Sequence, residues 1–516
     1  MTAVTGVSLA LAVAGTIVGS LRWLRVAQRE HYLAGSATRF ALRWWFSAPA
    51  KTIMLAVGVA GVVASGFTAP AAAVPAVVAI LGPRRLGVRG RTSQLVWTRR
   101  LTVLASVLGL LEGLAVALGA VADGLHGAVV AAACLTLASP ALLDLALALT
   151  APFEARLATG YVRRATARLQ RVRPVVVAVT GSYGKTTTKG YITHLVGAAK
   201  DTLASPQSYN NRAGLSRTVN EHLGPATEVL VAEMGTYGPG EIAEICTWMT
   251  PDIAVITAIG PAHLERFKSL ERTLQAKAEI TERAPVVVLN IDDERLAGLA
   301  KQLESTGKRV VRASGSDPQA DVAVLAVPDG IELRVGGRRL GKALTSASDR
   351  PTALSNAACA VAVALELDLE AESLLPRLAT LPLPANRLQR YVAEGGYVVL
   401  DDTFNSNPAG ARLALARLEL EAPHGRRVLV TPGMVELGKA QADENAALAE
   451  AAAAVVSDVV VVARTNRRAL SEGAGRRAGV PVVMVDRLDE AVAWVRENLG
   501  PTDAVLYEND LPDHFP

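Results

Sequence analysis

The pattern of apolar and polar positions divides the chain into two parts of different character. Residues 1–150 consist of long apolar stretches rich in Ala, Val, Leu and Gly, separated by short polar segments. Residues 172–516 instead alternate short β-branched runs with longer segments that mix Ala, Leu and Glu. The first pattern predicts an all-α transmembrane region, and the second predicts soluble α/β domains.

Three of the apolar stretches are long enough to cross a bilayer as single helices: Val4–Leu21, Leu101–Ala122 and His126–Thr150. The segment 52–81 is too long for one crossing and is interrupted near Pro70, so we predict a hairpin there. Each arm has about 15 residues, fewer than the ~20 that a crossing usually needs, so a re-entrant pair is the alternative to two full spans. The predicted region, 1–150, therefore holds about five spans. A cleaved signal peptide is the rival interpretation of the first stretch, but the basic segment that such a peptide needs is missing.

Basic residues predict the orientation of these spans. The connections at 22–51 and 84–100 are rich in Arg, whereas residues 1–21 and the link at 123–125 contain no Lys or Arg. By the positive-inside rule, both basic connections and everything after residue 150 face the cytoplasm. The sequence thus predicts a multi-pass protein of the cytoplasmic membrane. Glu112 and Asp144 lie within spans, where we favour helix–helix contacts over an ion path.

Composition adds limits on function. The net charge of +5 is too small to indicate a nucleic-acid partner, unless the basic residues cluster on one face. Cys134, Cys246 and Cys359 are too widely separated for a metal motif or a disulfide framework. We expect them to be small buried residues in a reducing compartment.

A phosphate-binding loop is predicted at the start of the second part. Pro174–Thr180 is a short apolar run typical of a buried strand, and a helix is expected to begin at Lys185. The intervening Gly181-Ser182-Tyr183-Gly184 allows the backbone N–H groups to point at phosphate oxygens at the helix N-terminus. Lys185 would bridge the β- and γ-phosphates, and the Thr186 hydroxyl would take a Mg²⁺ position. The loop is shorter than the usual Walker form because no second glycine lies four residues earlier.

The loop sequence T-G-S-Y-G-K-T-T-T resembles the nucleotide loop of the Mur ligase family, which builds the peptide stem of bacterial peptidoglycan. Within the family, the motif sequences are most similar to those of the branch that adds D-alanyl-D-alanine to UDP-muramoyl-tripeptide. The resemblance covers residues 172–510, and its further segments follow in the family's order: Val229–Gly235, Pro251–Glu265, Ala276–Ile280, Leu289–Asp293, Asn386-Arg387, Asp401–Pro408 and Gly433–Gly438.

This resemblance implies an ATP-dependent amide ligase. In the family a carboxylate attacks the γ-phosphate of ATP, and an amine then displaces phosphate from the resulting acyl-phosphate. The implied fold is α/β, with a P-loop central domain over 172–383 and a Rossmann-like C-terminal domain over 384–516. Strands of the latter are predicted near Val428–Val430, Val459–Val462, Val482–Val485 and Ala504–Leu506. The active site is expected in the cleft between the two domains.

The resemblance also implies roles for particular residues. The implied catalytic residues are Lys185, His263 and Lys277, the last of them carbamylated. The implied ATP contacts are Gly181, Ser182, Tyr183, Gly184, Lys185, Thr186, Thr187, Asn290, Asn356, Arg387 and Asp402. The implied ligands of two Mg²⁺ ions are Thr186, Glu233 and His263. The implied substrate contacts are Asn210, Asn211, Asn405 and Asn407. Some of these residues have structural alternatives. Asn290 would belong to a plain strand–turn, Asp402 would cap a turn, and Asn210 and Asn211 would form an Asn-rich turn.

The sequence departs from the family in two places. Apolar spans occupy the position of the N-terminal domain that holds the UDP-sugar, so we expect a lipid-linked or membrane-proximal acceptor and an amino acid or dipeptide as the amine. The C-terminal Lys-Gly-Ser segment of the dipeptide-adding branch is missing, and an acidic segment, Tyr507–Asp513, stands there instead. The alternative functions are a poly-amino-acid synthase and a membrane NTPase coupled to transport or assembly.

Overall fold

The computed structural model describes residues 2–30, 32–46, 48–82, 95–206, 209–262, 264–345, 354–382, 388–403, 406–477 and 479–510. The described chain forms two compact units that meet in sequence at Ala158 and Thr159. The first unit is helical, and the second contains both sheets. The α/β class predicted for the second part is thereby confirmed.

Helices of the first unit cover the predicted apolar stretches, and a further short helix lies within the predicted connection at 22–51. They are α1 (Thr2–Arg29), α2 (Ser36–Trp45), α3 (Pro49–Ser65), α4 (Ala73–Leu81) and the larger part of α5 (Arg99–Val172), whose last residues belong to the second unit. Non-helical backbone at Asp123 and Gly124 divides α5 into two arms. A methyl group on Gly119 would collide with the backbone of Gly127, so the two arms pack closely beside this break.

Among the described residues, two helices, α1 and α5, are long and apolar enough to cross a membrane, and the bent pair α2–α3 would be a third. This number is smaller than the predicted five because α5 contains two of the predicted spans and α4 is only 9 residues long. The segment for which a hairpin was predicted contains α3 and α4, and a Cβ on Gly61 would lie 2.7 Å from Val74 Cβ. The two short helices therefore pack directly against each other.

Both acids of the predicted spans join helices. Glu112 accepts a hydrogen bond from Ser20 Oγ of α1 at 2.5 Å. Asp144 accepts hydrogen bonds from the backbone N–H groups of Ala37 at 3.3 Å and Thr38 at 2.8 Å, at the start of α2. A carboxylate at a helix N-terminus satisfies donors that have no partner within the helix. These contacts agree with the helix–helix role favoured by the sequence.

The second unit begins with a nine-stranded sheet in the order β2-β3-β1-β4-β5-β6-β7-β8-β9. Its strands are β1 (Val175–Thr180), β2 (Thr202–Ala204), β3 (Val229–Glu233), β4 (Ile253–Ile256), β5 (Val286–Asn290), β6 (Arg309–Ser314), β7 (Val322–Val327), β8 (Gly330–Val335) and β9 (Arg338–Leu344). Strands β2 to β7 and β1 pair in parallel, and β8 and β9 are antiparallel.

Helices cover both faces of this sheet, which explains the apolar runs. They are α6 (Lys185–Val196), α7 (Arg212–His222), α8 (Glu241–Trp248), α9 (Leu264–Phe267), α10 (Leu270–Ala278), α11 (Glu294–Ser305), α12 (Leu354–Glu366) and α13 (Ala371–Leu378). Val177 and Val179 of β1 belong to one core, and Val176 and Ala178 belong to the core on the opposite face. Alternate residues of a strand point to opposite faces, so a strand buried on both faces must be apolar throughout.

A six-stranded sheet follows, in the order β10-β11-β15-β12-β13-β14. Its strands are β10 (Gln389–Val392), β11 (Val398–Asp402), β12 (Arg427–Thr431), β13 (Asp458–Val462), β14 (Val482–Val485) and β15 (Ala504–Glu508). The accompanying helices are α14 (Pro408–Glu421), α15 (Gln441–Ala452), α16 (Arg467–Gly475) and α17 (Leu488–Asn498). Only the β10–β11 pair is antiparallel. The four strands predicted here are each present, and the last strand of the chain lies in the middle of the sheet.

Candidate active site

The predicted phosphate loop joins β1 to α6 and requires glycine at both ends. Gly184 has a φ of 79°, and a Cβ there would lie 2.6 Å from Asn356 Oδ1. A Cβ on Gly181 would collide with the Thr257 hydroxyl. Only glycine fits these positions without strain. Asn356 of α12 is thus brought against the loop, where the sequence predicted a nucleotide contact.

The end of β4 holds this loop in shape. The Ser182 hydroxyl donates to Gly260 O at 3.2 Å and accepts from Gly260 N at 3.0 Å. The Thr257 hydroxyl hydrogen-bonds the carbonyl of Tyr183. The loop therefore has a fixed conformation set by the segment after β4, which is the segment that leads to the position of His263.

Lys185 lies over the loop that it follows. Its Nζ donates to Gly181 O at 2.8 Å and to Ser182 O at 3.3 Å. Helix α6 begins at Lys185, and Thr187 lies in its first turn. The first N–H groups of this helix of 12 residues have no partners within the helix. The helix N-terminus and the Lys185 ammonium group lie together here, so both could bind the oxygens of a polyphosphate.

Glu233 is the acidic centre of the site. It ends β3, its side chain is 2% exposed, and its Oε2 accepts a hydrogen bond from Thr186 Oγ1 at 3.0 Å. Its Oε1 accepts from Asn210 Nδ2 at 3.1 Å. Burial by itself raises the pKa of this carboxyl, but the charges of Lys189 and Lys185 and the hydrogen bonds from Asn210 and Lys189 outweigh it and lower the pKa. Glu233 is therefore held ionised.

The Thr186 hydroxyl and the Glu233 carboxylate fit a Mg²⁺ ion. Both are hard oxygen ligands, and Mg²⁺ in nucleotide enzymes is commonly held by one or two carboxylates with substrate phosphates supplying the rest. No group of three or more His, Cys, Asp or Glu residues capable of holding a metal occurs among the described residues. Substrate phosphates and water molecules would complete the coordination.

Lys189 is a member of this site that sequence reasoning missed. Its Nζ lies 3.1 Å from Glu233 Oε2 and donates to Ser205 O at 2.9 Å, and its side chain is 7% exposed. The available signal was its position one helical turn after Lys185, on the same face of α6. A lysine in a helix is usually solvated, and only the packing of α6 against β3 makes this one an internal counter-ion.

Replacing Lys189 with methionine should destabilise the protein by about 3–5 kcal/mol, because removing one partner leaves a buried carboxylate unpaired. The measurement is the free energy of unfolding in denaturant. In the double variant Lys189→Met with Glu233→Gln most of this loss should be recovered, since no buried charge remains. Lys301→Met, on the exposed face of α11, is the matched control. Equal stability of the Lys189 single and double variants would contradict the pairing.

Lys277 lies near the end of α10 and is also buried, at 4% exposure. Burial and, secondarily, the charge of Lys185 lower the pKa of its ammonium well below the ordinary value. Within the described part of the chain, its Nζ has no hydrogen-bond or ion-pair partner. A lowered pKa favours the neutral amine, which is the form that can react with carbon dioxide.

Other predicted residues have structural partners. Asn211 caps α7 by accepting from Gly214 N at 2.9 Å, and Asn407 caps α14 by accepting from Gly410 N at 2.9 Å. Asn290 donates from Nδ2 to Thr257 O at 2.8 Å and so supports the segment that holds the phosphate loop. Asp402 accepts from Leu388 N at 3.2 Å. His263, Arg387 and Asn405 lie outside the described residues, and their predicted roles stay predictions.

Known proteins with similar sequences share this arrangement of domains. The sequence model of the Mur ligase middle domain matches residues 179–364, and that of the Mur ligase glutamate ligase domain matches residues 386–507. The UDP-N-acetylmuramoyl-tripeptide–D-alanyl-D-alanine ligase of Mycobacterium leprae is 31% identical over 371 residues, which are 64% of this chain and 70% of that protein. The enzyme of the same name from Escherichia coli is 27% identical over 345 residues, 63% of this chain and 72% of its own.

A solved structure supports the same fold. The MurF ligase from Thermotoga maritima, in complex with ADP, has a TM-score of 0.60 at 24% identity, over 68% of this chain and 80% of that one. The loop, the helix N-terminus and the acid at the end of β3 define a nucleotide-dependent enzyme with two α/β domains. With the sequence matches, they show that this chain belongs to the Mur ligase family. It is an ATP-dependent peptide ligase of peptidoglycan synthesis, and Mur ligases use ATP and Mg²⁺.

Proposed function

We propose that this chain is a membrane-anchored Mur ligase that joins the carboxylate of a cell-wall precursor to an amine at the cytoplasmic face of the membrane. The reaction proceeds through an acyl-phosphate. The observation that supports phosphoryl transfer is the position of the Glu233 carboxylate. It accepts a hydrogen bond from the Thr186 hydroxyl beside the phosphate loop. A P-loop enzyme that only hydrolysed nucleotide would also hold Mg²⁺ with such an acid, but it would not need the buried amine of Lys277 near Lys185.

Each step assigns work to residues of this chain. The N–H groups at the start of α6 and the Lys185 ammonium hold the β- and γ-phosphates and neutralise charge as the phosphoryl group moves. Thr186 and Glu233 would hold Mg²⁺, which supplies further positive charge at the γ-phosphate. The acceptor carboxylate attacks the γ-phosphorus and ADP leaves. The amine then attacks the acyl carbon, and inorganic phosphate leaves as the amide forms.

A carbamylated Lys277 would provide an anion at this centre. Carbon dioxide adds to the neutral amine, and the carbamate carries one negative charge after the loss of a proton. That charge attracts the nearby Lys185 ammonium, and the carbamate replaces a buried amine by a group that can accept hydrogen bonds. We propose that the carbamate, together with His263, supports a second Mg²⁺.

The acceptor and the amine follow from the relatives only in outline. The similar enzymes are named for joining a UDP-N-acetylmuramoyl-tripeptide to D-alanyl-D-alanine. Both family matches lie after residue 178, and the described residues before 172 contain helices and no strand. We therefore propose a lipid-linked or membrane-proximal acceptor of muramoyl-peptide chemistry and an amino acid or dipeptide as the amine.

Exposed apolar side chains support the membrane assignment. Leu110, Leu114 and Leu118 of α5 are between 54% and 72% exposed and recur every four residues, and Val121 is 86% exposed. Such a continuous stripe is unfavourable in water and is suited to lipid tails. Mur ligases are cytoplasmic, so the basic connections and the ligase domains would lie on that side of the membrane, as the distribution of Arg predicts.

Membrane fractions and purified full-length protein in detergent allow both parts of the proposal to be tested. The protein should remain in the membrane after a carbonate wash, and a reporter fused to its C-terminus should be cytoplasmic. The purified protein should release ADP only when both a muramoyl-tripeptide acceptor and an amine are present, with a new amide seen by mass spectrometry. Nucleotide hydrolysis that needs neither substrate would favour the membrane NTPase, and repeated addition of one amino acid would favour the poly-amino-acid synthase. A soluble, active protein would contradict the membrane anchor alone.

A further inference from the structure

The last strand of the chain ends in a buried acid that the proposed chemistry does not use. Strand β15 lies between β11 and β12, and its final residue, Glu508, is 0% exposed. This is the position at which the sequence departs from the family's Lys-Gly-Ser segment. A fully buried carboxyl requires partners, because it otherwise loses its hydration without compensation.

Glu508 has partners from two different segments. One carboxylate oxygen accepts a hydrogen bond from the Ser406 hydroxyl, just before α14. The other accepts from Thr431 Oγ1 at the end of β12, at 2.9 Å. Ser406 belongs to the Asp401–Pro408 motif by which this chain resembles its family, and Thr431 lies two residues before the Gly433–Gly438 motif. Glu508 is the side chain that connects them.

The next residue strengthens the same connection. Asn509 donates from Nδ2 to Gly433 O at 2.7 Å and from its backbone N–H to Asp402 O at 3.1 Å. Thr431 Oγ1 also accepts from Gly433 N at 2.9 Å. The end of β15 therefore fixes the carboxyl ends of β11 and β12 relative to each other. In open parallel sheets, that edge is where ligands bind.

We propose that Glu508 is a positioning residue for the C-terminal half of the active site, holding the Ser406 segment and the end of β12 in the arrangement that ligation requires. This inference rests on the proposed function for its effect on ligation. It requires that the carboxyl be tolerated in the interior, and this depends on its protonation.

The surroundings favour the neutral acid. Burial raises the pKa of Glu508 to about 8, the hydrogen bond from Thr431 opposes this, and the charge of Asp402 adds to it. Asp402 is the register neighbour of Glu508 on β11, whereas the described residues before α14 and at the end of β12 contribute the hydroxyls of Ser406 and Thr431 to its hydrogen bonds. Above about pH 8 a second negative charge is created beside Asp402, and the connection should weaken.

The sign of the stability effect follows from linkage. Because the folded pKa lies above the unfolded value, the native state binds the proton more tightly. The contribution is fully present below the unfolded pKa and is lost as the pH rises through about 8. Replacing Glu508 with glutamine keeps the shape and the hydrogen-bonding groups of the neutral acid but cannot ionise.

Three variants of the full-length protein in detergent test the inference: Glu508→Gln, Glu508→Ala and the exposed control Glu497→Gln on α17. The thermal midpoint of the wild type and of the control should fall as the pH rises from about 7 to 9, and that of Glu508→Gln should not. In ligation, kcat/KM for the amine should fall on the alkaline side in the wild type, and this fall should be absent in Glu508→Gln. Comparing variants cancels the titration of the amine substrate itself.

Glu508→Ala should lower kcat/KM for the amine about 10- to 100-fold at neutral pH, as loss of a supporting residue typically does, with the KM for ATP nearly unchanged. If Glu508→Ala does not fold, Ser406→Ala should give the same change in the amine parameters. An alkaline fall that persists in Glu508→Gln, in either measurement, overturns the inference. The unfolding measurement needs no substrate, so a failure of the proposed ligase activity is distinguishable from a failure of this inference.

Discussion

Replacing Lys185 with alanine is expected to lower kcat for ATP-dependent ligation by about 100- to 1,000-fold, the usual effect of removing a preorganised charge donor. In the structure its ammonium hydrogen-bonds the carbonyls of Gly181 and Ser182, so it already lies over the loop that receives the phosphates. The variant removes the positive charge and leaves the backbone of the loop unchanged. The measurement is steady-state ADP release with saturating ATP, acceptor and amine.

A matched control separates the role of Lys185 from a general effect of charge. Lys301→Ala removes a lysine from the exposed face of α11, and its kcat should stay within about twofold of the wild type, as for surface substitutions generally. Lys185→Ala should also fold normally, since the group it removes is only partly buried. A Lys185→Ala enzyme that keeps more than a tenth of the activity would remove this loop from the mechanism.

Replacing Lys277 with alanine is the second substitution with a large expected effect, a loss of about 100-fold in kcat. Its amine is buried, has no partner within the described chain and has a lowered pKa. If its function is to carry a carbamate, the variant lacks an anion that a small molecule can replace. Formate or acetate should therefore restore part of the activity in a concentration-dependent manner.

The specificity of this rescue provides the control. The same carboxylates should not restore Lys185→Ala, which lacks a cation rather than an anion. A carbamate should also be visible directly, as a ¹³C resonance that appears in wild-type protein supplied with labelled bicarbonate and is absent from Lys277→Ala. A fully active Lys277→Ala enzyme, or wild-type protein without such a resonance, would show that the carbamate assignment is wrong.

The parts of the fold that depend on local pattern could be predicted from the sequence. The four strands of the C-terminal sheet carry runs of valine and leucine, and each lies within two residues of its predicted position. The phosphate loop was also predictable, because its glycines, lysine and threonines follow a strand and begin a helix. Glu233 could be proposed as a ligand because it ends a strand next to that loop.

The parts that depend on contacts between distant segments could not be predicted. Lys189 is a counter-ion to Glu233 because α6 packs beside β3. The residues next to Lys189 in sequence do not indicate Glu233 as its partner. Glu508 is buried because β15 inserts between β11 and β12, an order that sequence does not give. Asn211 and Asn407 each cap a helix, a role that could have been predicted because asparagine before a helix is a favoured N-cap. Their predicted substrate contacts stay predictions.

The first unit illustrates a different limit. Hydropathy located the apolar segments, and the structure adds how they meet, through Ser20 with Glu112 and through Asp144 with the start of α2. Neither acid required a separate functional explanation, because each satisfies donors on another helix. The apolar stripe on α5 is a property of one face of the folded helix. The length of the apolar segment alone did not predict which residues form this stripe.

The central claim is that the acceptor carboxylate is activated by phosphoryl transfer, and isotope transfer tests it most directly. An acceptor whose carboxylate contains ¹⁸O would be ligated by the full-length protein with ATP, Mg²⁺ and the amine, and the inorganic phosphate would be analysed by mass spectrometry. Because the bond between the acyl carbon and the bridging oxygen breaks in the second step, each phosphate released should contain one ¹⁸O from the acceptor. Phosphate that contains no acceptor oxygen, and takes its oxygen from water instead, would contradict the acyl-phosphate and with it the account given for this site.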